Sequence, residues 1–160
     1  MPQIDEHLKW CLKDPKRLVK TKPDLDLAQK HVKKSEYNYG VVQTLERLKI
    51  YDWAFNVGFY AIYHCFLAIL AKYGYESRNQ ACTITVLLTL INDKKLDLDK
   101  DLVTQFDTLD VEKSISSPTV RESREISTYG VETSIDLQKL KKVKELILKV
   151  QRETIRILGE

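Results

Sequence analysis

Cysteine is scarce in this 160-residue chain. Its three cysteines, Cys11, Cys65 and Cys82, are odd in number, far apart and never in a Cys-x-x-Cys pair. That pattern predicts neither a disulfide framework nor a zinc site, and it fits a reducing cytoplasm. An excess of one charge is lacking as well. With 26 basic against 23 acidic side chains the formal net charge is +3, so any electrostatic case for nucleic acid rests on local patches. Sustained alternation of apolar and polar residues with β-branched enrichment is absent, which argues against a sheet. There is no Gly-rich phosphate loop, Ser-His-Asp set, internal repeat or low-complexity tract. The start of the chain places Asp5, Glu6 and His7 ahead of any apolar run, unlike a secretory signal, so the expected location is the cytoplasm.

What is present is ordinary globular composition, 43% hydrophobic and 31% charged, which excludes wholesale disorder and a many-pass membrane protein. Apolar residues recur at helical spacing almost throughout. The predicted fold class is all-α: an antiparallel up-and-down bundle of four to five helices with an extra short N-terminal helix. That first helix covers about residues 4–13 and stops before Pro15; Lys16 to Lys22 then forms a basic linker closed by Pro23. Residues 1–23 are thus set apart from a bundle over 24–160.

Asp24 offers a cap to a helix over about 25–48, and the next helix, about 51–73, follows so closely that the two must form an antiparallel hairpin. Further helices are expected over about 79–91, 99–109 and 136–158. The segment from Ser114 to Ser134, with Pro118, Gly130 and the pair Arg121 and Arg124, reads as a functional loop or broken helix.

The helix from Tyr51 to Tyr73 is apolar nearly all round, with three interleaved stripes. Ala54, Gly58, Ala61, Cys65 and Ala68 are small and invite close helix approach. Phe55, Phe59, Ile62, Phe66, Ile69 and Tyr73 form a second stripe, and Trp53, Val57, Tyr60, His64, Leu67 and Ala71 a third. Such a helix is expected to be buried on every side. Residues 53–71 carry no formal charge and would also suit a membrane span. Asn56, Gly58, Tyr60, Tyr63 and His64 dilute the stretch and no other segment could join it, so no membrane is expected as a partner.

The run Val57-Gly-Phe-Tyr-Ala-Ile-Tyr-His-Cys-Phe-Leu-Ala-Ile-Leu-Ala-Lys-Tyr-Gly74 resembles the signature helix of the HEPN domain family. Tyr51-Asp52-Trp53-Ala54, Glu76-Ser77-Arg78-Asn79 and the stretch from Arg121 to Gly130 add to the resemblance, which covers about 24–158. It implies a cytoplasmic helical bundle that commonly forms a homodimer, often beside a small nucleotidyltransferase in toxin–antitoxin systems. Active members cleave RNA without a metal, using an Arg followed a few residues later by a His. The matching stretch here is Arg124-Glu125-Ile126-Ser127-Thr128-Tyr129, so Tyr129 stands where the His belongs. A Tyr with an ordinary pKa of about 10 stays protonated at neutral pH, whereas a His near about 6.5 exchanges its proton there. Catalysis is therefore not expected.

Arg124 could still hold a phosphate through its fork of donors, Arg121 lies three residues before it, and Tyr129 could donate a hydrogen bond or stack on a base. The bland alternative pairs both arginines with Glu122 and Glu125 on the surface. His64 reads as a hydrogen-bonded core histidine, with a proton-carrying role beside Arg124 as the sharper alternative. His7 and Cys11 have the spacing of one helical turn but no evident further ligand, so no metal and no cofactor are expected. Three readings remain open: a dimeric module that binds nucleotide or RNA through Arg121, Arg124, Tyr129 and His64; a metal-independent ribonuclease with an atypical proton carrier; and a structural interaction protein.

Overall fold

A computed structural model of the chain describes residues 2–106 and 137–160. Among the described residues six helices and two short strands follow one another: α1 (Pro2–Leu12), β1 (Leu18–Lys20), α2 (Leu25–Arg47), α3 (Tyr51–Tyr73), β2 (Tyr75–Ser77), α4 (Gln80–Asn92), α5 (Lys100–Phe106) and α6 (Leu137–Leu158). The helical reading of the sequence thus holds at the level of a helical bundle.

Local chemistry explains the helix ends. Asp24 caps α2 by accepting from the Leu27 N–H at 2.9 Å, and Asn79 caps α4 by accepting from the Cys82 N–H at 3.0 Å. The α2–α3 connection is only three residues long. Lys49 turns left-handed there at φ 61°, and Ile50 N–H donates back to the Leu45 carbonyl. Gly74 ends α3 at φ 83°, the left-handed conformation that glycine adopts without steric cost.

The α2–α3 hairpin carries the most extensive helix contact, and α6 lies against both of its helices. The small stripe on α3 makes this possible. Ala54, Gly58, Ala61, Cys65 and Ala68 are all buried, and a Cβ on Gly58 would come within 3.0 Å of Val143 Cγ1 and 3.6 Å of Ile147 Cδ1. On its other side α3 meets an aromatic cluster. Phe106 of α5 stacks on Phe59 at 4.8 Å between ring centroids and meets Phe66 edge-on at 5.0 Å. Tyr63 adds a hydroxyl contact to Thr83 Oγ1 at 3.0 Å. Lys72 donates to the Ile157 carbonyl and so joins the end of α3 to that of α6.

By length and a mean hydropathy of 1.6, α3 would pass as a membrane span, yet 72% of its most apolar stretch is buried within the molecule. The expectation of burial on every side needs correction on one face. Along the third stripe Trp53 and Tyr60 are exposed and Val57, His64 and Leu67 only half-buried, because α2, α6 and the α4–α5 side cover the other faces.

The expectation of no sheet also needs correction. β1 and β2 form a two-stranded antiparallel ribbon in which Leu18, Val19 and Lys20 pair with Ser77, Glu76 and Tyr75. Each strand has three residues, too few for period-two alternation to register in the sequence. The ribbon lays the basic linker across the end of α3, with Leu18 1% exposed. Thr21 N–H donates to the Gly74 carbonyl and Asp24 N–H to the Ala71 carbonyl, each at 2.8 Å.

Candidate functional site

Of the residues singled out from sequence, Arg121, Arg124 and Tyr129 lie outside the described residues. His64 is described. It projects from the partly open face of α3 and meets His31 of α2, a residue that no sequence pattern singles out. Their Nδ1 atoms are 2.9 Å apart, and the rings are tilted by 32° with centroids 5.2 Å apart. Both side chains are half-buried, so the pair sits at the surface of the hairpin and not in its core.

The hairpin places them. An antiparallel pair of helices brings together residues at similar distances from the turn. Ser35 and Ala61 mark the same register one turn further in, where Ser35 Oγ donates to the Ala61 carbonyl at 2.5 Å. That hydroxyl lies 3.2 Å from Cys65 Sγ and accepts from Gln151 Nε2 at 3.0 Å. A buried polar network therefore underlies the histidines and ties α2, α3 and α6 together. Cys65 is not a nucleophile in this setting, since burial pushes its thiol up to about 11.

The histidines have a defined protonation chemistry. Burial, the adjacent imidazole and the Lys34 ammonium pull His64 down to about 4, and burial lowers His31 as well. Both rings are neutral at neutral pH. A bond between two Nδ1 atoms needs one donor and one acceptor, so the rings take opposite tautomers. One Nε2 then carries a proton and the other a lone pair. The pair offers one donor and one acceptor, a match for the edge of a base or for ribose hydroxyls. It is poorly placed for general acid–base work near neutrality, where the useful pKa lies close to the working pH.

Lys34 follows His31 by one turn and its ammonium lies 4.9 Å from the Tyr37 ring centroid. Lys30 pairs with Asp26 at 3.2 Å in full exposure, and such a pair holds little energy. A concavity lined by Gly40, Gln43, Glu46, Arg47 and Lys144 opens between α2 and α6. Its lysine is engaged by Glu46 at 2.7 Å.

No family model and no curated protein matches the chain.

The cysteine reading is overturned. Cys11 and Cys82 form a disulfide between α1 and α4, with Cα atoms 5.8 Å apart at a sequence separation of 71. Cys65 is the free cysteine. The inference from absent disulfides to a reducing compartment loses its premise. The contact also gives the His7 and Cys11 pair the third donor that the sequence did not reveal. Only the packing of α1 on α4 brings these residues together; no local pattern carried that information.

Proposed function

We propose that the chain is a HEPN-like helical module that binds nucleotide or RNA without cleaving it and acts as a cytoplasmic homodimer, with a small nucleotidyltransferase as its partner class. The observation that carries the reading is the neutral His31–His64 pair on the partly open face of the α2–α3 hairpin. It presents a donor and an acceptor beside the cationic Lys34, on the helix whose sequence resembles the family signature. Tyr129 in place of the motif histidine points the same way, since neither it nor the paired imidazoles exchange a proton readily near neutrality. In this reading Arg121 and Arg124 supply the phosphate contacts.

The test is binding of labelled single-stranded RNA and of nucleotides, in the presence of chelator and at two salt concentrations, with RNA integrity followed in the same samples. The expected result is salt-sensitive binding with intact RNA, weakened in Arg124→Ala and in His64→Ala. Cleavage that disappears in Arg124→Ala would establish a ribonuclease instead. Absence of binding to either ligand would leave a structural interaction protein. Sedimentation of the same protein reads the dimer directly.

A further inference from the structure

The second chemistry-bearing cluster lies where α1 packs on α4, away from the histidine pair. His7 and Cys11 are one turn apart on α1 and so share a face. Cys82 lies in the first turn of α4, three residues after the capping Asn79. The donor atoms of the three residues all lie within 4.8 Å of one another. His7 Nδ1 is 3.7 Å from Cys11 Sγ and 2.6 Å from Thr85 Oγ1. Tetrahedral zinc holds sulfur at about 2.3 Å and nitrogen at about 2.0–2.1 Å, which sets neighbouring S and N ligands about 3.5 Å apart. His7 and Cys11 already stand close to that spacing. Once the bond between the sulfurs is broken, a separation of about 3.7 Å completes a three-donor set.

The chemistry of the set is selective. Two thiolates and an imidazole suit zinc and softer ions, not magnesium or calcium. Both sulfurs are fully buried, and half-buried His7 forms the solvent side, stacked on Trp10 at 5.4 Å between centroids. Three protein donors leave a fourth position for water, and zinc at His7 Nδ1 replaces that atom's contact with Thr85 Oγ1.

From this geometry we infer that His7, Cys11 and Cys82 form a redox-gated zinc site, closed as a disulfide when oxidised and able to bind one zinc ion when reduced. A dithiol reductant supplies two electrons and two protons to the Cys11–Cys82 bond and leaves as its own disulfide, so that two thiols form. Zinc displaces both thiol protons and is ligated by two thiolates and the neutral imidazole. A disulfide oxidant reverses the sequence by taking two electrons from the thiolates, and zinc leaves. The tether between α1 and α4 is covalent in one state and metal-bridged in the other.

The experiment reduces the full chain with a phosphine, removes the excess and titrates first Co²⁺ and then Zn²⁺, with oxidised protein in parallel. One equivalent of Co²⁺ with a thiolate-to-cobalt charge-transfer band, displaced by Zn²⁺, is expected for the reduced protein, and no such band for the oxidised one. His7→Ala keeps both sulfurs and hence the disulfide, and should lose more than about tenfold in zinc affinity. Cys65→Ser should bind as the parent does. Far-UV circular dichroism accompanies each titration. A reduced chain that loses helix and regains it on adding zinc supports the site, and one that zinc does not restore overturns it. Equal binding by oxidised protein, a reduced protein without the band, or parental affinity in His7→Ala also overturns it.

Discussion

Protonating His64 adds a charge beside Lys34 and His31 and also removes an acceptor from the imidazole pair. Its pKa falls from 6.5 in the unfolded chain to about 4 in the fold. Between those values the unfolded chain holds a proton that the folded chain does not, so stability falls as pH drops from 6.5 toward about 4 and is fully present above 6.5. The lowered His31 acts in the same direction. Melting temperatures across this window should fall more steeply for the parent than for His64→Gln, which keeps a donor and an acceptor but does not titrate. Parallel curves would show that the pair contributes nothing to the pH dependence. His31 was legible only in retrospect: its partner is set by the register of a hairpin, whereas His64 stood out within a recognisable run of residues.

Two glycines fix how the elements meet. At Gly74 the backbone is left-handed, and a Cβ there would lie 2.6 Å from the Thr21 carbonyl oxygen where the chain from β1 crosses the end of α3. Gly74→Ala should destabilise by about 1–3 kcal/mol through backbone strain, with the crowding of Thr21 adding to it. Denaturant unfolding measures this, and an unchanged midpoint would refute the close crossing. Gly58 is needed for a different reason, since it lies in regular helix against Val143 and Ile147 of α6. Gly58→Leu overfills that contact and should cost about 1–3 kcal/mol or more, read as a lower melting temperature. The small stripe that places Gly58 was visible in sequence at alternating four and three spacing. The β1–β2 ribbon was not, because three-residue strands carry no periodic signal.

For the molecule as a whole, the Cys11–Cys82 bond closes a loop that contains β1, the entire α2–α3 hairpin and β2. Closing so long a loop restricts the unfolded chain. Reduction in the presence of chelator should therefore remove about 2–4 kcal/mol of stability, seen as a lower denaturant midpoint than for oxidised protein. Equal midpoints would show that the bond does not constrain the unfolded ensemble. The loss should leave the α2–α3–α6 contact standing, because α1 packs chiefly on α4 and β1 while α6 lies on the α2–α3 hairpin.

The sequence by itself determined the helices and where they stop. Periodicity and capping are local, so Asp24, Gly74 and the short α2–α3 connection set boundaries within a residue or two of those observed. It also marked the small stripe along α3 as a contact surface. Tertiary structure alone decided which distant residues face one another: His31 with His64, Cys11 with Cys82 and His7, and the linker with the chain after α3. Such meetings depend on the register and packing of whole elements. A side chain's own sequence neighbourhood does not encode them.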